Sequence, residues 1–268
     1  KKMMNKFFSV PVKSIRNLTD DAVNIEIDLS SVDTDTFKFK SGQYITVEQK
    51  INDEMVRRSY SISSSPESGI EIGVKLVQNG KMSTFLTSNL NQGDTLNIMP
   101  PSGNFFIDID TKNSNHYVGI CAGSGITPIM SMIKNVLTNE PSSTFTLIYG
   151  NRTLSSTMYS EEIDLFKENY NERFSLYNFY SKEKIDGSSN GRISGELLKD
   201  LFDKNIHLKN ANLFLMCGPG DMIENVSEFL ELIEIDSSKI KFELFSAPKN
   251  SDEKKENSSQ SDLISNVT

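Results

Sequence analysis

The chain has 268 residues and a net charge of −8, from 28 lysines and arginines against 36 aspartates and glutamates. This length favours two domains, and the acidic balance argues against nucleic acid as a partner, because phosphate binding needs a basic face. The two cysteines, Cys121 and Cys217, are too few for a disulfide framework or for the four ligands of an iron–sulfur cluster. We expect a reduced, cytoplasmic setting and no membrane association, since the apolar stretches fall far short of a membrane span.

The first part of the chain, up to residue 110, has the alternating apolar and polar residues of short β-strands. Strands are predicted at residues 8–18, 22–29, 44–49, 55–63, 70–77 and 95–99. A single helix is predicted among them at residues 82–90. Short antiparallel strands of this kind suit a small β-barrel.

From residue 111 to residue 247 strands alternate with helices instead. The predicted strands are residues 117–122, 144–149, 174–180, 213–216 and 240–245, and the predicted helices are residues 127–137, 159–169, 195–202 and 222–232. Repeated βα units predict a parallel sheet wrapped by helices. Residues 248–268 are polar and charged, and we expect them to be a linker toward a missing domain; a natural tail is the alternative.

Three residues of a predicted barrel strand could hold a flavin. Arg58 offers a bidentate fork to a pyrophosphate, Tyr60 an aromatic plane for the ring system, and Ser61 a hydroxyl for the flavin N5 edge. Ser83 and Thr84 stand at the start of the predicted helix, where free N–H groups favour an anion such as the same pyrophosphate. Taken alone, Arg58, Tyr60 and Ser61 fit an ordinary exposed strand better than a flavin site, whereas Ser83 and Thr84 fit an ordinary helix cap and an anion site equally well.

A glycine-rich turn and a cysteine motif are predicted at the carboxyl edge of the parallel sheet, where ligands of such sheets lie. Gly123 and Gly125 would let the backbone approach a phosphate, although the run departs from the G-x-G-x-x-G pattern and could be a turn without a ligand. Cys217, Gly218 and Pro219 end the fourth strand of this part. The thiol could pack beside a nicotinamide, whereas a small buried cysteine is the commoner outcome.

Arg152 follows the second strand of the α/β part. At this place an acidic residue would bind a ribose 2′-hydroxyl and a basic residue a 2′-phosphate. Arg192 could assist it. The pattern favours NADPH, with NADH possible, and a solvated arginine is the alternative interpretation.

Together and in this order, the motifs resemble the ferredoxin–NADP(+) reductase superfamily over about residues 5–247. The runs at residues 99–105 and 148–153 are most similar to reductase components of the phenylacetyl-CoA oxygenase type. The resemblance implies an antiparallel β-barrel FAD domain over residues 1–110, followed by an α/β parallel-sheet NAD(P)-binding domain over residues 111–247. It implies FAD contacts from Arg58, Tyr60, Ser61, Lys75, Gly80, Met82, Ser83 and Thr84.

The resemblance also implies where the nicotinamide and the flavin meet. Thr127, Cys217 and the strand end that carries Glu243 and Phe245 would contact the nicotinamide. Ser61 would hydrogen-bond the flavin N5, Cys217 would steer the nicotinamide, and Phe245 could occupy its pocket until NADPH displaces it. We expect Ser61, Cys217 and Glu243 to be the catalytic residues.

Relatives of this subclass continue through a linker into a plant-type [2Fe–2S] domain, whose cysteines this sequence does not contain. The implied activity is a flavin-dependent NADPH oxidoreductase that passes electrons through FAD to an iron–sulfur centre serving an oxygenase component. That centre would lie on a missing domain or on a separate ferredoxin. Two alternatives stay open: a flavin reductase or flavohaemoprotein-type reductase, and a non-catalytic flavin electron-transfer subunit.

Overall fold

The structure is a computed structural model that describes residues 6–245. The linker predicted at residues 248–268 lies outside the described residues.

The first half of the chain forms an antiparallel sheet of six strands. They are β1 (Phe8–Thr19), β2 (Ala22–Ile27), β3 (Tyr44–Ile51), β4 (Glu54–Ser61), β5 (Glu71–Lys75) and β6 (Thr95–Ile98), in the spatial order β4-β3-β6-β1-β2-β5. An antiparallel bridge between Ile62 and Ile72 joins the two edges of this sheet, so it closes into a barrel. Valine, isoleucine and leucine side chains from alternate positions fill its interior, among them Ile25, Ile45 and Ile98.

The helix of the barrel has two parts. A single α-helical turn, α1 (Lys81–Thr84), continues into a π-helical turn at Phe85–Asn89. The Thr87 hydroxyl donates a hydrogen bond to the Ser83 carbonyl oxygen at 2.8 Å within this stretch. The sequence predicted one uniform helix here, because apolar spacing does not distinguish the wider turn from an α-helix.

The second half forms a parallel sheet with helices on both faces. Its strands are β7 (His116–Ala122), β8 (Thr144–Asn151), β9 (Phe174–Tyr180), β10 (Ser189–Asn190), β11 (Leu213–Gly218) and β12 (Ile240–Leu244), in the order β10-β9-β8-β7-β11-β12. Its helices are α2 (Ile126–Asn139), α3 (Ser160–Asn169), α4 (Gly195–Lys204) and α5 (Gly220–Leu232). Short 3-10 turns lie at Thr34–Phe37, Pro66–Ser68, Gly123–Gly125, Leu154–Ser156, Ile206–Asn210 and Ser237–Lys239. The predicted antiparallel barrel followed by a parallel α/β unit is thereby confirmed.

The carboxyl edge of the parallel sheet faces the barrel. Gly218 and Leu244 end β11 and β12 there, and the Ser131 hydroxyl of α2 donates to the Ser64 carbonyl oxygen of the barrel at 2.6 Å. The boundary that we place after residue 110 falls between Ile98 and His116, the end of β6 and the start of β7. The functional site can therefore be sought where the two units meet.

Within residues 6–245, none of the helices combines the length and the apolar character needed to cross a membrane.

Candidate functional site

Two neighbouring cavities lie at the junction of the barrel and the parallel sheet. The barrel cavity, of about 570 Å³, is lined by β4, β5, the start of α1 and the end of β12. The sheet cavity, of about 830 Å³, runs along the carboxyl ends of β7, β8 and β9. Lys75, Ser124 and Phe245 line both. Two bound molecules could therefore meet at these three residues.

The structure brings most of the predicted flavin residues to the barrel cavity. Seven of them line it: Arg58, Tyr60, Ser61, Lys75, Gly80, Met82 and Ser83. Thr84 instead lines an adjoining cavity of about 510 Å³, together with Lys50 and Phe85. Met82 is 2% exposed and belongs to the barrel core, so it also anchors α1 to the barrel.

The Ser83 hydroxyl is engaged within the turn before α1. It accepts a hydrogen bond from the Val77 N–H at 3.1 Å and donates to the Gly80 carbonyl oxygen at 3.1 Å. These bonds fold residues 77–83 into the wall of the barrel cavity. A phosphate here would therefore meet the backbone of the turn and the neighbouring cations, while the hydroxyl holds the turn in shape.

The charges and the aromatic ring of the barrel cavity fit FAD. Arg58, Lys75 and Lys81 line the cavity and could face a pyrophosphate. Lys75 already contacts Asp21 Oδ1 at 3.2 Å and the Ser156 carbonyl oxygen at 3.3 Å. Tyr60 is partly buried against the barrel core and lines the cavity, where its ring could pack on a flavin, and this burial raises the pKa of its phenol.

Ser61 and Glu243 meet across the two units at one end of the barrel cavity. The Ser61 hydroxyl donates a hydrogen bond to Glu243 Oε2 at 3.3 Å. Burial raises the pKa of Glu243 to about 7, and the hydrogen bond from Ser61 acts in the opposite direction. A carboxyl group with this pKa can hold or release a proton near neutral pH, beside the predicted flavin N5 contact.

Cys217 lies behind this pair. It is 0% exposed and pairs in register with Glu243 on β12 and with Cys121 on β7. Burial, and after it the Glu243 charge, raises the pKa of the Cys217 thiol well above its ordinary value. The side chain is therefore a neutral thiol that packs under the site, and it is a poor nucleophile.

The two glycines of the β7–α2 turn have different surroundings. Gly123 has φ +55° and lines the sheet cavity, and a Cβ there would have nothing within 4 Å. Gly125 is buried, and a Cβ there would lie 2.2 Å from the Cys217 carbonyl oxygen. Gly123 thus leaves room for a ligand, whereas Gly125 lets the turn pack on β11. Thr127 lines the barrel cavity, and its hydroxyl donates to the Ser124 carbonyl oxygen at 3.1 Å.

Three cationic side chains line the sheet cavity beyond this turn. Arg152 and Arg192 were predicted there, and Lys182 joins them. The Lys182 N–H donates to the Arg152 carbonyl oxygen at 2.9 Å, which holds the segment after β9 beside the end of β8. Arg192 also lies 3.8 Å from Asp221. The sequence carried a signal for Lys182. Lys182 follows the predicted strand 174–180 by two residues, much as Arg152 follows the predicted strand 144–149 by three.

Other predicted residues lie beside the cavities without lining them. Gly125, Cys217 and Gly218 form a buried layer behind the turn, and a Cβ on Gly218 would lie 2.8 Å from the Met222 side chain. Pro219 and Phe245 do line the sheet cavity. The buried Asn151 Nδ2, at the end of β8, has no hydrogen-bond partner within residues 6–245. An unsatisfied polar atom beside a cavity is consistent with a ligand site.

Comparison with known proteins gives two family matches in the same order. A family profile described as an oxidoreductase FAD-binding domain matches residues 9–107. A second, described as an oxidoreductase NAD-binding domain, matches residues 120–228. The first match covers the barrel, and the second covers most of the parallel-sheet unit.

Individual proteins agree with these matches. One component of 1,2-phenylacetyl-CoA epoxidase from Escherichia coli K12 is 34% identical over 91% of this chain and 69% of that protein. Flavodoxin/ferredoxin–NADP reductase from Buchnera aphidicola subsp. Baizongia pistaciae is 30% identical over 72% of this chain and 79% of that protein. The flavohem-like FAD/NAD-binding domain of nitric oxide dioxygenase from Vibrio cholerae O1 biovar El Tor has the same fold, with a TM-score of 0.78, 21% identity, and 90% and 99% of the two chains covered.

Proposed function

Because this chain belongs to the ferredoxin–NADP reductase family, whose members transfer electrons from NAD(P)H through FAD, we propose that it uses NADPH and supplies an iron–sulfur partner of an oxygenase. The observation that carries this proposal is the junction of the two cavities at Lys75, Ser124 and Phe245. A dinucleotide along the sheet edge and a flavin on the barrel would come together there. FAD held on the barrel would supply hydride acceptance from a nicotinamide and single-electron release, which an iron–sulfur acceptor requires.

The residues at the junction have distinct proposed tasks. Arg58 binds the FAD pyrophosphate, Tyr60 covers the flavin ring, and Ser61 orients the N5 edge. Glu243 shares the Ser61 hydrogen bond and stores a proton near neutral pH. Phe245, which lines both cavities, occupies the nicotinamide position until the dinucleotide enters.

Arg152, Lys182 and Arg192 support NADPH as the donor. They line the cavity at the ends of β8, β9 and β10, where the adenosine end of a dinucleotide lies in parallel-sheet proteins. Arginine and lysine side chains bind a 2′-phosphate, and the hydroxyl of NADH offers them little. The Buchnera relative is named a flavodoxin/ferredoxin–NADP reductase, which agrees with this choice.

An iron–sulfur acceptor is supported by the relatives, and the cysteines bear only on where a cluster could lie. The epoxidase component is 34% identical, which suggests that this chain also serves a multicomponent oxygenase. Cys121 and Cys217 are buried in adjacent strands of the parallel sheet. A cluster would therefore reside outside residues 6–245, on a following domain or a separate ferredoxin.

Reduction of the purified protein tests the donor. Anaerobic NADPH should bleach the visible flavin bands, with a higher kcat/KM than NADH. The double variant Arg152→Ala/Lys182→Ala should lower kcat/KM for NADPH by roughly 10- to 100-fold, since hydrogen bonds to charged groups contribute about 1.5–3 kcal/mol. Lys184→Ala is the matched control, because Lys184 is exposed in the same segment and is not among the residues that line the sheet cavity. Equal losses with NADPH and NADH would refute the 2′-phosphate assignment.

The acceptor is tested with the same reduced protein. A plant-type [2Fe–2S] ferredoxin should be reduced much faster than free FMN at equal concentrations. Fast reduction of free FMN with no ferredoxin reduction would replace this proposal with a flavin reductase. Bound flavin without NAD(P)H oxidation would identify a non-catalytic electron-transfer subunit.

A further inference from the structure

Tyr159 connects the parallel-sheet unit to the barrel through a single hydroxyl. It precedes α3, is 2% exposed and has φ +60°, a left-handed conformation that is uncommon for a bulky residue. Its hydroxyl donates a hydrogen bond to Asn24 Oδ1 on β2 of the barrel at 2.9 Å. The chain therefore adopts an unfavourable backbone conformation at the residue that reaches across the junction.

On the barrel side, this hydroxyl meets three segments at one point. Asn24, which is 5% exposed, donates from Nδ2 to Glu71 Oε2 on β5 at 2.9 Å. The Ser63 hydroxyl, just after β4, donates to Asn24 Oδ1 at 3.3 Å. Asn24 thus ties together β2, β5 and the end of β4, and β4 and β5 line the barrel cavity. A buried amide with all these partners has one preferred position.

Gly73 on β5 lies directly between Tyr159 and the barrel cavity. A Cβ on Gly73 would lie 2.4 Å from the Tyr159 hydroxyl oxygen and 2.7 Å from Thr127 Cγ2. Gly73 and Thr127 both line the barrel cavity. The wall of the barrel cavity at Gly73 therefore packs against Tyr159 and Thr127. Thr127 lies in the first turn of α2, two positions after Gly125 of the β7–α2 turn.

We propose that Tyr159 is a positioning residue that sets the separation between the barrel cavity and the β7–α2 turn. The inference rests on the transfer of electrons from NAD(P)H to FAD, with each cofactor held by a different unit. Transfer between two rings is steeply sensitive to their alignment, and a displacement of about 1 Å can lower a rate by about 100-fold. The hydroxyl acts through Asn24 and Gly73 and does not itself contact the reacting atoms.

The experiment compares Tyr159→Phe with Tyr117→Phe. Both remove only a buried hydroxyl, but the Tyr117 hydroxyl donates to Glu140 Oε2 at 3.0 Å inside the parallel-sheet unit. Anaerobic stopped-flow reduction should slow by roughly 10-fold or more in Tyr159→Phe, with flavin content and dinucleotide Kd within about twofold of wild type. The long-wavelength charge-transfer absorbance of the flavin–nicotinamide complex should fall in parallel. Tyr117→Phe should change neither quantity.

A second measurement uses flavin-free protein. Amide hydrogen exchange should become faster in β2 and β5 of Tyr159→Phe and should stay unchanged there in Tyr117→Phe. Gly73→Ala should also slow flavin reduction, and adding Tyr159→Phe should restore part of the rate by removing the atom at 2.4 Å. This partial rescue would show that the contact between residue 73 and the Tyr159 hydroxyl sets the distance between the barrel cavity and the β7–α2 turn.

Two results would overturn the proposal. One is normal reduction and normal charge-transfer absorbance in Tyr159→Phe. The other is an equal slowing in both tyrosine variants, since that would reflect general destabilisation. The assay uses whichever of NADPH and NADH reduces the flavin faster and contains no protein acceptor. If the proposed function names the wrong nucleotide or the wrong acceptor, this test still decides whether Tyr159 sets the separation between the two units.

Discussion

At the residue scale, the contact between Ser61 of the barrel and Glu243 of the parallel-sheet unit makes the stability of the protein depend on pH. In the folded protein burial raises the pKa of Glu243 to about 7, against an ordinary value of 4.5. The folded state therefore binds the proton more tightly than the unfolded chain does. The stabilising contribution is complete below about pH 4.5 and is lost as the pH rises through about 7.

We expect Glu243→Gln to remove this pH dependence, because glutamine keeps the size of the side chain and does not titrate. In flavin-free protein, the melting temperature of wild type relative to Glu243→Gln should fall as the pH rises from about 4.5 to about 7. Thermal unfolding across this range checks it. Ser61→Ala gives a second check. The Ser61 hydroxyl lowers the pKa of Glu243, so removing it should shift the pH-dependent loss of stability to higher pH. A constant difference between wild type and Glu243→Gln would contradict the raised pKa.

Arg58 and Arg57 are adjacent on β4 but have different surroundings. Arg58 lines the barrel cavity, whereas Arg57 pairs with Glu48 and lies over the Phe7 ring at 5.0 Å. Arg58→Ala should weaken FAD binding by roughly 10- to 100-fold, as expected for losing a charged hydrogen-bond donor of about 1.5–3 kcal/mol. Arg57→Ala should leave the FAD Kd unchanged. Fluorescence titration of the apoprotein measures both, and equal weakening would remove Arg58 from the pyrophosphate site.

At the element scale, the strands and helices with strong periodicity could be predicted from the sequence. The alternation around Val23 and Ile25 marks β2, and the apolar spacing in residues 127–137 marks α2. Other elements carry no such signal. The π-turn at Phe85–Asn89 has the apolar pattern of an α-helix, and β10 has two polar residues, Ser189 and Asn190. Such elements arise from tertiary contacts that local pattern does not encode.

The β7–α2 turn allows a prediction with two glycines in one element. Gly125→Ala would place a Cβ 2.2 Å from the backbone carbonyl oxygen of Cys217, so the turn must move and the protein should be destabilised by about 2 kcal/mol or more. In Gly123→Ala the Cβ has no close neighbour, so the protein loses only about 1–2 kcal/mol, which is what φ +55° costs an L-residue. The new methyl group would, however, project into the sheet cavity. We therefore expect Gly125→Ala to lower the melting temperature further, and Gly123→Ala to keep most of the stability while weakening dinucleotide binding. Denaturant unfolding and calorimetric titration separate the two effects, and the reverse order would refute this account.

At the scale of the whole molecule, the contacts between the two units could not be predicted. Asn135 Nδ2 donates to the Ser41 hydroxyl oxygen at 2.8 Å across 94 positions of sequence, and Tyr159 reaches Asn24 across 135. Each of these residues is, by itself, an ordinary polar side chain in a helix, strand or turn. The motifs and the resemblance predicted that Ser61 and Glu243 lie near the same site, but the direct hydrogen bond between them depends on how the two units pack.

A cluster of three charged residues links the two units. Glu162 of α3 pairs through Oε1 with Arg16 of the barrel at 2.5 Å and through Oε2 with Lys134 of α2 at 2.9 Å. Burial alone would raise the pKa of Glu162, but the charges and hydrogen bonds of Lys134 and Arg16 lower it overall. The stabilising contribution is therefore complete above the ordinary value of 4.5 and is lost as the pH falls through the lowered folded pKa.

Glu162→Gln should lower the free energy of unfolding at pH 7 by roughly 1–3 kcal/mol, because two charge-assisted hydrogen bonds lose their acceptor charge. The deficit should shrink as the pH falls below 4.5, since the wild-type carboxyl then becomes protonated and resembles the amide. High salt should reduce it as well, because Arg16 is about half exposed and its ion pair is screened. Urea unfolding of flavin-free protein at several pH values provides the measurement. Glu161→Gln is the matched control, since Glu161 is the exposed neighbour in the same turn of α3. A deficit that is equal for both variants, or that persists unchanged in acid, would mean that the cluster does not hold the units together.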